Sequence, residues 1–287
     1  MPEMPEVESL AVFLRQRCVG RVIVRVELTA FSALKTYDPP LSALNGLEID
    51  GVERHGKYLD LSAQGLHLVF HLARAGWLRW KDQLPETPAK PGKGPLALRV
   101  RLDDGSGFDL TEAGTQRKLA VHVVADPQDI AMVATLGPDP LGPEFDEDAL
   151  RAVLAGAGRA QLKGVLKDQR TIAGIGNAYS DEILHAARLS PFKPASSLTP
   201  EELSTLYRAL KDELGGAIAR AEGLAAKDLK GEKKSGLRVH GRAGQPCDVC
   251  GDTIAEVSFA DSSLQYCPTC QTGGKKLADR RLSRLLK

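Results

Sequence analysis

The spacing of apolar residues changes along the chain and predicts two kinds of structure. Residues 5–17 have the pattern of an amphipathic helix, with apolar side chains at helical spacing: Val7, Leu10, Ala11 and Leu14. From residue 21 to about residue 133, the apolar residues form short alternating or β-branched runs, such as VIVRVEL, YLDLS and KLAVHVV. These runs predict an antiparallel sandwich or barrel with one leading helix.

A proline-rich, acidic stretch at 136–148, LGPDPLGPEFDED, separates these strands from a helical region. Beyond it, helical periodicity predicts helices in 146–156 and 159–169, a helix that begins near Asn177, and a helix that begins at a capping box of Thr199 and Glu202. The segment 223–239 is basic and is predicted to be a loop. The predicted organisation is a catalytic domain at 1–134, a linker at 135–144, a helical domain at 145–239, a zinc finger at 240–271 and a basic tail at 272–287.

Composition and charge exclude several classes of protein. The chain has 287 residues, of which 43% are hydrophobic and 26% charged, as in an ordinary globular protein. A net charge of +1 excludes a uniformly basic nucleic-acid coat but allows a local basic face. No apolar run approaches the length of a membrane span, and the N-terminus is acidic, unlike a signal peptide. We therefore expect a cytoplasmic protein without a membrane partner.

Four of the five cysteines form two C-x2-C pairs separated by sixteen residues: Cys247, Cys250, Cys267 and Cys270. In a chain without an export signal, such spacing favours one structural zinc over disulfides or a redox dithiol. Cys18 stands alone at the end of the first helical pattern, where we expect a small buried apolar residue.

The N-terminus offers unusual chemistry because Met1 precedes Pro2 and Glu3. Removal of Met1 would leave a prolyl secondary amine, and α-amines have a pKa of about 8, so part of the population is neutral at neutral pH. Such an amine can attack C1′ of a deoxyribose, and an adjacent carboxylic acid can protonate the sugar oxygen. These three residues alone are weak evidence, because many chains begin in this way.

The chain resembles the formamidopyrimidine-DNA glycosylase and endonuclease VIII family over about residues 1–271. The resemblance rests on MPEMPEVE at 1–8, RHGKYLDL at 54–61, HLARAGWL at 71–78, LGPDPLG at 136–142, the segment 161–191 and the cysteine module. It implies an α+β multidomain fold with an N-terminal antiparallel β-sandwich, a helix–two-turn–helix domain and a zinc-finger β-hairpin. It also implies a bacterial, nucleoid-associated, monomeric base-excision repair enzyme that acts on double-stranded DNA with damaged bases or abasic sites.

The same resemblance assigns roles to individual residues. Pro2 would be the Schiff-base nucleophile, Glu3 the general acid and Glu6 a buried supporting carboxylate, while Lys57 would contact a phosphate near the flipped nucleotide. The remaining DNA contacts implied by the resemblance are Asn177, Lys163 and Arg159.

Three positions depart from the family pattern. Arg74 stands where relatives have a lesion-probing methionine, and the later loop LTEAGTQRKLAV has no aromatic wedge, which leaves Gln116, Arg117 and Lys118 as polar candidates. Ser262 replaces the arginine of the finger hairpin, and a hydroxyl cannot replace a guanidinium clamp. The segment 222–239 is also shorter than in relatives that cap 8-oxoguanine.

Two functions remain open from the sequence. One is a bifunctional DNA glycosylase and abasic-site lyase that nicks DNA by β-elimination, and the other is a damaged-DNA binding protein with little or no turnover. The Pro2-Glu3 pair argues against a third, RNA-binding interpretation, because RNA binding has no use for a free prolyl amine.

Overall fold

The computed structural model describes residues 1–92, 94–259 and 262–278, which form two compact units. The first unit comprises Met1–Leu136 and Ala221–Glu232. The second comprises Gly137–Arg220 and the described residues from Lys233 onward. Most of the basic tail predicted at 272–287 lies outside the described residues. Among the helices of the described part, none is long and apolar enough to cross a membrane.

The first unit contains one long helix and two antiparallel sheets. Helix α1 is Met4–Cys18. The strands are β1 (Ile23–Leu28), β2 (Gly51–His55), β3 (Tyr58–Ala63), β4 (Leu66–His71), β5 (Gly76–Lys81), β6 (Leu96–Leu102), β7 (Gly107–Glu112) and β8 (Ala120–Val124), and the short helix α2 is Ala131–Ala134. They form two four-stranded sheets with the orders β1-β6-β7-β5 and β2-β3-β4-β8. The predicted sandwich with a leading helix is confirmed.

The core of the first unit is built from the apolar periodicity of these elements. Leu10 and Leu14 of α1 are fully inaccessible to solvent and pack with inward-facing strand residues such as Leu61 and Phe70. Cys18 is also fully buried, as predicted, and burial raises the pKa of its thiol to about 12. A thiol with such a pKa stays protonated at neutral pH and is a poor nucleophile.

The second unit is mainly helical and ends in a short hairpin. Its elements are α3 (Glu147–Ala157), α4 (Leu162–Lys167), α5 (Asn177–Ala186), α6 (Pro200–Ala221), β9 (Ala255–Ser258), β10 (Ser263–Tyr266) and α8 (Pro268–Thr272), with the last residue of α6 counted in the first unit. The predicted capping box is present, because the Thr199 backbone N–H donates to Glu202 and the Glu202 backbone N–H donates to the Thr199 hydroxyl. The predicted helices of this region are therefore confirmed.

The prediction of a loop over 223–239 is wrong for its central part, because Leu229–Gly236 form helix α7. Leu229 is the only apolar residue in this helix, so the segment has no apolar periodicity from which a helix could be predicted. Its side chain is buried in the core of the first unit. Glu232 in the first turn and Lys233 in the last turn also suit the helix dipole.

Candidate catalytic residues and zinc centre

Pro2, Glu3 and Glu6 lie together at the N-terminus of α1. All three are buried, and Glu3 is only 3% exposed. Glu3 is the N-cap of the helix: its side chain accepts from the Glu6 backbone N–H, while Glu6 Oε2 accepts from the Glu3 backbone N–H at 2.8 Å. This reciprocal capping box fixes the backbone beside Pro2. Met1 is present in the structure, so the Pro2 nitrogen is part of a peptide bond here.

Lys57 lies in the two-residue turn that joins β2 to β3, where His55 pairs with Tyr58. Gly56 in this turn has φ of 57°, a conformation that favours glycine. Lys57 is itself buried, with 7% exposure. Its charge acts on His71, whose ring stacks against Tyr58 at 4.8 Å: burial, and then Lys57, lower the pKa of His71 to about 4. His71 is therefore neutral at physiological pH.

The three polar candidates of the first unit lie on exposed loops. Arg74 follows Ala73, a non-glycine residue with φ of 52° in the turn before β5. Arg117 donates to the Gly94 carbonyl at 3.0 Å, and the Lys118 backbone N–H donates to Glu112 Oε1 at 2.7 Å. The buried Glu112 carboxylate therefore shapes the loop that presents Arg117 and Lys118.

Asn177 is the first residue of α5 and follows the turn that contains Gly174, whose φ is 87°. Its Nδ2 donates to the Ser263 carbonyl of the finger hairpin at 2.7 Å. Its Oδ1 is buried and accepts no hydrogen bond from the described residues. Arg159 is exposed in the turn between α3 and α4.

Lys163 has its ammonium group inside the second unit. It donates to Asp181 Oδ1 at 2.6 Å, Ser180 Oγ at 2.8 Å and the Asn177 carbonyl at 3.0 Å. Asp181 is fully buried, and its other oxygen, Oδ2, lies 2.8 Å from His240 Nδ1 and accepts from the Gln265 backbone N–H at 3.2 Å.

The sequence analysis did not predict this Lys163–Asp181–His240 cluster, because the resemblance assigned Lys163 to a DNA contact. Its members are separated by 18 and 59 positions in the chain, so their contacts are visible only in the fold.

The four predicted zinc ligands meet at one point in the second unit. The Sγ atoms of Cys247, Cys250, Cys267 and Cys270 all lie within 4.8 Å of one another. Zinc–sulfur bonds of about 2.3 Å place tetrahedral thiolates about 3.8 Å apart, so this cluster fits one structural zinc. His185 of α5 adds a contact that the cysteine spacing could not reveal, because its Nε2 lies 3.3 Å from Cys247 Sγ.

Ser262 lies at the tip of the hairpin formed by β9 and β10. The Phe259 backbone N–H donates to the Ser262 carbonyl at 2.7 Å, which closes the turn. The Ser262 side chain is exposed. The hairpin tip therefore presents a neutral hydroxyl at this position.

Three known domains match the chain in order. The formamidopyrimidine-DNA glycosylase N-terminal domain matches residues 1–120, the formamidopyrimidine-DNA glycosylase H2TH domain matches residues 136–228, and a zinc finger found in FPG and IleRS matches residues 244–273. Together they cover both units.

Individual proteins show the same likeness. A formamidopyrimidine-DNA glycosylase of Symbiobacterium thermophilum is 37% identical over 98% of this chain and 93% of its own length. An uncharacterized formamidopyrimidine-DNA glycosylase-like protein of Mycobacterium tuberculosis is 59% identical over 53% of this chain and 94% of its own length. Among solved structures, the Lactococcus lactis formamidopyrimidine-DNA glycosylase bound non-covalently to DNA with an abasic site has a TM-score of 0.81, is 27% identical, and covers 94% of this chain and 99% of its own.

Proposed function

Because the chain belongs to the formamidopyrimidine-DNA glycosylase family, we propose that it excises oxidised bases from double-stranded DNA and cleaves the resulting abasic site. All of the residues proposed for this activity belong to one chain, so we propose a monomer that acts in the bacterial cytoplasm. The observation that carries the proposal is the Pro2-Glu3 pair, which is held by a capping box at the start of α1.

In the first step, the neutral Pro2 amine, freed by removal of Met1, attacks C1′ of the damaged nucleotide. The C1′–O4′ bond breaks as Glu3 protonates O4′, which opens the sugar ring, and the new C1′ amine loses its proton. The C1′–N bond to the base then breaks, and the base leaves with the bonding electron pair and takes up a proton. The product is an open-chain iminium between Pro2 and C1′.

The strand is nicked in the second step. The iminium acidifies C2′, and loss of a C2′ proton is followed by cleavage of the C3′–O bond, which releases the 3′ phosphate as the leaving group. Water then hydrolyses the conjugated iminium, which regenerates the amine and leaves a 3′ unsaturated aldehyde.

The surroundings of the pair support these roles. Glu3 directly follows Pro2 in the chain, which places its carboxyl group within reach of the nucleotide that Pro2 attacks. Glu6 acts as a positioning residue, because its carboxylate holds the Glu3 backbone N–H, one bond from Pro2. The positive end of the α1 dipole disfavours a positive charge on the adjacent amine, which favours its nucleophilic form.

Phosphate contacts would hold the DNA and offset the cost of flipping the nucleotide, which is a few kcal/mol. We propose Lys57, Asn177 and Arg159 for these contacts, with Arg74, Arg117 and Lys118 beside the void left by the base. The zinc would hold the finger hairpin in shape through its four cysteines and take no part in the chemistry.

We propose that β-elimination is the main lyase outcome, because the exposed Ser262 offers no charge to a phosphate at the hairpin tip. The same substitution is the observation that favours the second candidate function, a damaged-DNA binding protein with little turnover. The two functions differ in whether the N-terminal amine forms a covalent intermediate.

Borohydride trapping on a duplex with one abasic site separates them, because reduction of the iminium leaves a stable adduct. We expect an adduct with the unmodified protein, a strongly reduced adduct with Pro2→Gly, and loss of base excision with retained trapping for Glu3→Gln. Glu8→Gln is the matched control, because Glu8 is a carboxylate of the same helix that pairs with Arg54. Absence of an adduct with the unmodified protein would support the binding protein instead.

A further inference from the structure

A cavity lies in the first unit, at the opposite end of α1 from Pro2. It has a volume of about 580 Å³ and is lined by the C-terminal half of α1, strand β5 and residues 225–230. We call it the β5 groove. Helix α1 has 15 residues and is therefore roughly 22 Å long, and the groove residue Arg17 lies in its last turn. The Arg17 side of the groove is thus well separated from the catalytic candidates.

Aromatic rings in fixed orientations form one part of the groove. The Trp77 Nε1–H donates to the Ala226 carbonyl at 3.0 Å, and the Trp80 Nε1–H donates to Asp82 Oδ1 at 2.9 Å. Phe13 meets Trp80 edge to face at 5.7 Å. These contacts hold the rings before any ligand arrives, which lowers the entropy cost of binding to them.

Positive charge forms the other part. The groove is lined by Arg17, Arg79, Lys81, Lys227 and Lys230, whereas Asp82 is its only carboxylate. Asp82 is already held by Arg17 at 3.4 Å, and Lys81 pairs with Asp109 at 3.2 Å.

Three of these cations have no acidic partner among the described residues. Within the described residues, no carboxylate lies within ion-pair distance of Arg79, Lys227 or Lys230. Burial, and then the charge of Arg79, lower the pKa of Lys230, as expected for two cations that lack an anion between them.

Cations also lie over the ring faces. Lys230 Nζ is 4.5 Å from the Trp77 ring centroid, and the Arg17 guanidinium is 4.8 Å from that of Phe13 and 5.5 Å from that of Trp80. A groove with aromatic rings and excess positive charge suits a ligand that carries both flat rings and phosphates. A cavity of this size admits one or two nucleotides but not a duplex, which is about 20 Å wide.

We propose that the β5 groove binds unpaired nucleotides of a single DNA strand, as a site separate from the catalytic one. The cations would contact the phosphates, and the partly exposed Trp80 would pack against a base. This site uses none of the residues assigned to catalysis or to duplex contacts. Residues 225–230 belong to the segment compared above with the one that caps 8-oxoguanine in relatives, so the test keeps the catalytic site occupied by a duplex.

Tryptophan fluorescence can report binding at the groove, because the only two tryptophans of the chain, Trp77 and Trp80, both line it. The experiment titrates an oligothymidylate of about six nucleotides into the zinc-loaded protein and follows tryptophan emission. A saturating duplex with a tetrahydrofuran abasic-site analogue occupies the catalytic site throughout. We expect saturable quenching by the single strand that the duplex does not prevent.

The test variant is Arg79→Glu/Lys230→Glu, and the control is Lys35→Glu/Lys90→Glu, which makes the same charge change at exposed positions of the first unit. For the test variant, we expect affinity to fall by roughly tenfold or more. The slope of log affinity against log salt should become shallower by about 1.4, as for two lost phosphate contacts on a single strand. The control should bind like the unmodified protein, and borohydride trapping should be unchanged in both variants.

Three results would overturn the proposal: no quenching by the single strand, displacement of the strand by the duplex, or equal affinity of the test and control variants. Equal competition by an oligoglutamate of the same charge would overturn it too, because charge alone would then explain binding. Binding of free thymidylate without binding of the oligonucleotide would contradict a DNA ligand. Failure of trapping with a functional groove would count against the proposed catalysis only.

Discussion

Asp181→Ala tests the buried cluster that holds the finger to the helical part of the second unit. The substitution removes the carboxylate that faces Lys163 at 2.6 Å and His240 at 2.8 Å, and the Lys163 ammonium is left in a site where only 7% of its side chain is exposed. Breaking a buried pair by removing one partner costs about 3–5 kcal/mol, because an uncompensated charge remains. We expect a loss of that order in the stability of the second unit.

A double variant distinguishes a structural role of Lys163 from a DNA contact. In Lys163→Met/Asp181→Leu both charges are replaced by apolar groups of similar volume, which is often neutral for stability. If Lys163 only neutralises Asp181, the double variant should recover the stability that the unpaired Lys163 charge costs in Asp181→Ala, together with affinity for abasic-site DNA, whereas the bonds of Asp181 to His240 and Gln265 stay lost. If Lys163 also contacts a phosphate, stability should return while the affinity stays low.

The two units can be followed separately during urea unfolding. Both tryptophans lie in the first unit, whereas α3–α5, α8 and nearly all of α6 lie in the second. Asp181→Ala should therefore shift the far-ultraviolet circular dichroism transition to lower urea and leave the tryptophan transition in place. Arg151→Ala is the control, because it breaks the exposed pairs of Arg151 with Glu147 and Asp148 in α3 and should cost at most about 1 kcal/mol. A shift no larger than that of the control would refute the reasoning.

Three further predictions follow from the same structure. Cys250→Ser should release zinc, measured by metal analysis, and abolish DNA binding while the tryptophan emission of the first unit stays native. Ser262→Arg should increase the 3′-phosphate product on a sequencing gel and tighten DNA binding roughly tenfold, as expected for one guanidinium–phosphate contact. If deletion of 272–287 has the larger effect on binding, the basic tail supplies the phosphate contact instead. His71 has a pKa of about 4 in the folded protein and of about 6.5 in the unfolded chain. The unfolded chain therefore binds a proton first as the pH drops from 6.5 to 4, so the free energy of unfolding should fall over that range. In urea titrations, His71→Gln should flatten this pH dependence.

Local patterns were enough to predict most of the fold. The period of apolar residues identified α1 and the strands, and the Thr199–Glu202 capping box marked the start of α6 within one residue. The cysteine spacing predicted a metal cluster that the four sulfurs fit. In each case the signal lies within a few residues of the feature, so it can be seen in the sequence.

The features that escaped prediction depend on partners that are distant in the chain. Helix α7 is anchored by Leu229 in a core formed mainly by residues more than a hundred positions earlier, and the Trp77 Nε1–H donates to the Ala226 carbonyl, 149 positions away. Lysine side chains are mostly exposed in folded proteins. Only the folded structure shows that the Lys163 ammonium is buried and paired with the Asp181 carboxylate. The sequence therefore shows which residues are basic, but not whether their side chains face the solvent or the interior.

The contacts of helix α5 explain why zinc should matter for DNA binding, although we propose no catalytic role for the metal. Three residues of α5 contact the finger region. Asp181 bonds His240 and Gln265. Glu182 accepts backbone N–H groups from residues 238–240, and His185 lies against Cys247. The carboxylate of Glu182 is buried, and burial raises its pKa despite these donors.

Asn177 is the first residue of this same helix, and its side chain bonds the Ser263 carbonyl beside the hairpin tip. The proposed phosphate contact at Asn177, the hairpin and the four cysteines are therefore parts of one packed assembly on α5. Loss of zinc would free residues 247–270, remove the partners of Asp181 and His185, and release the hairpin from Asn177. This is the physical reason to expect Cys250→Ser to abolish DNA binding, whereas the Glu3–Glu6 capping box depends only on α1 and should persist.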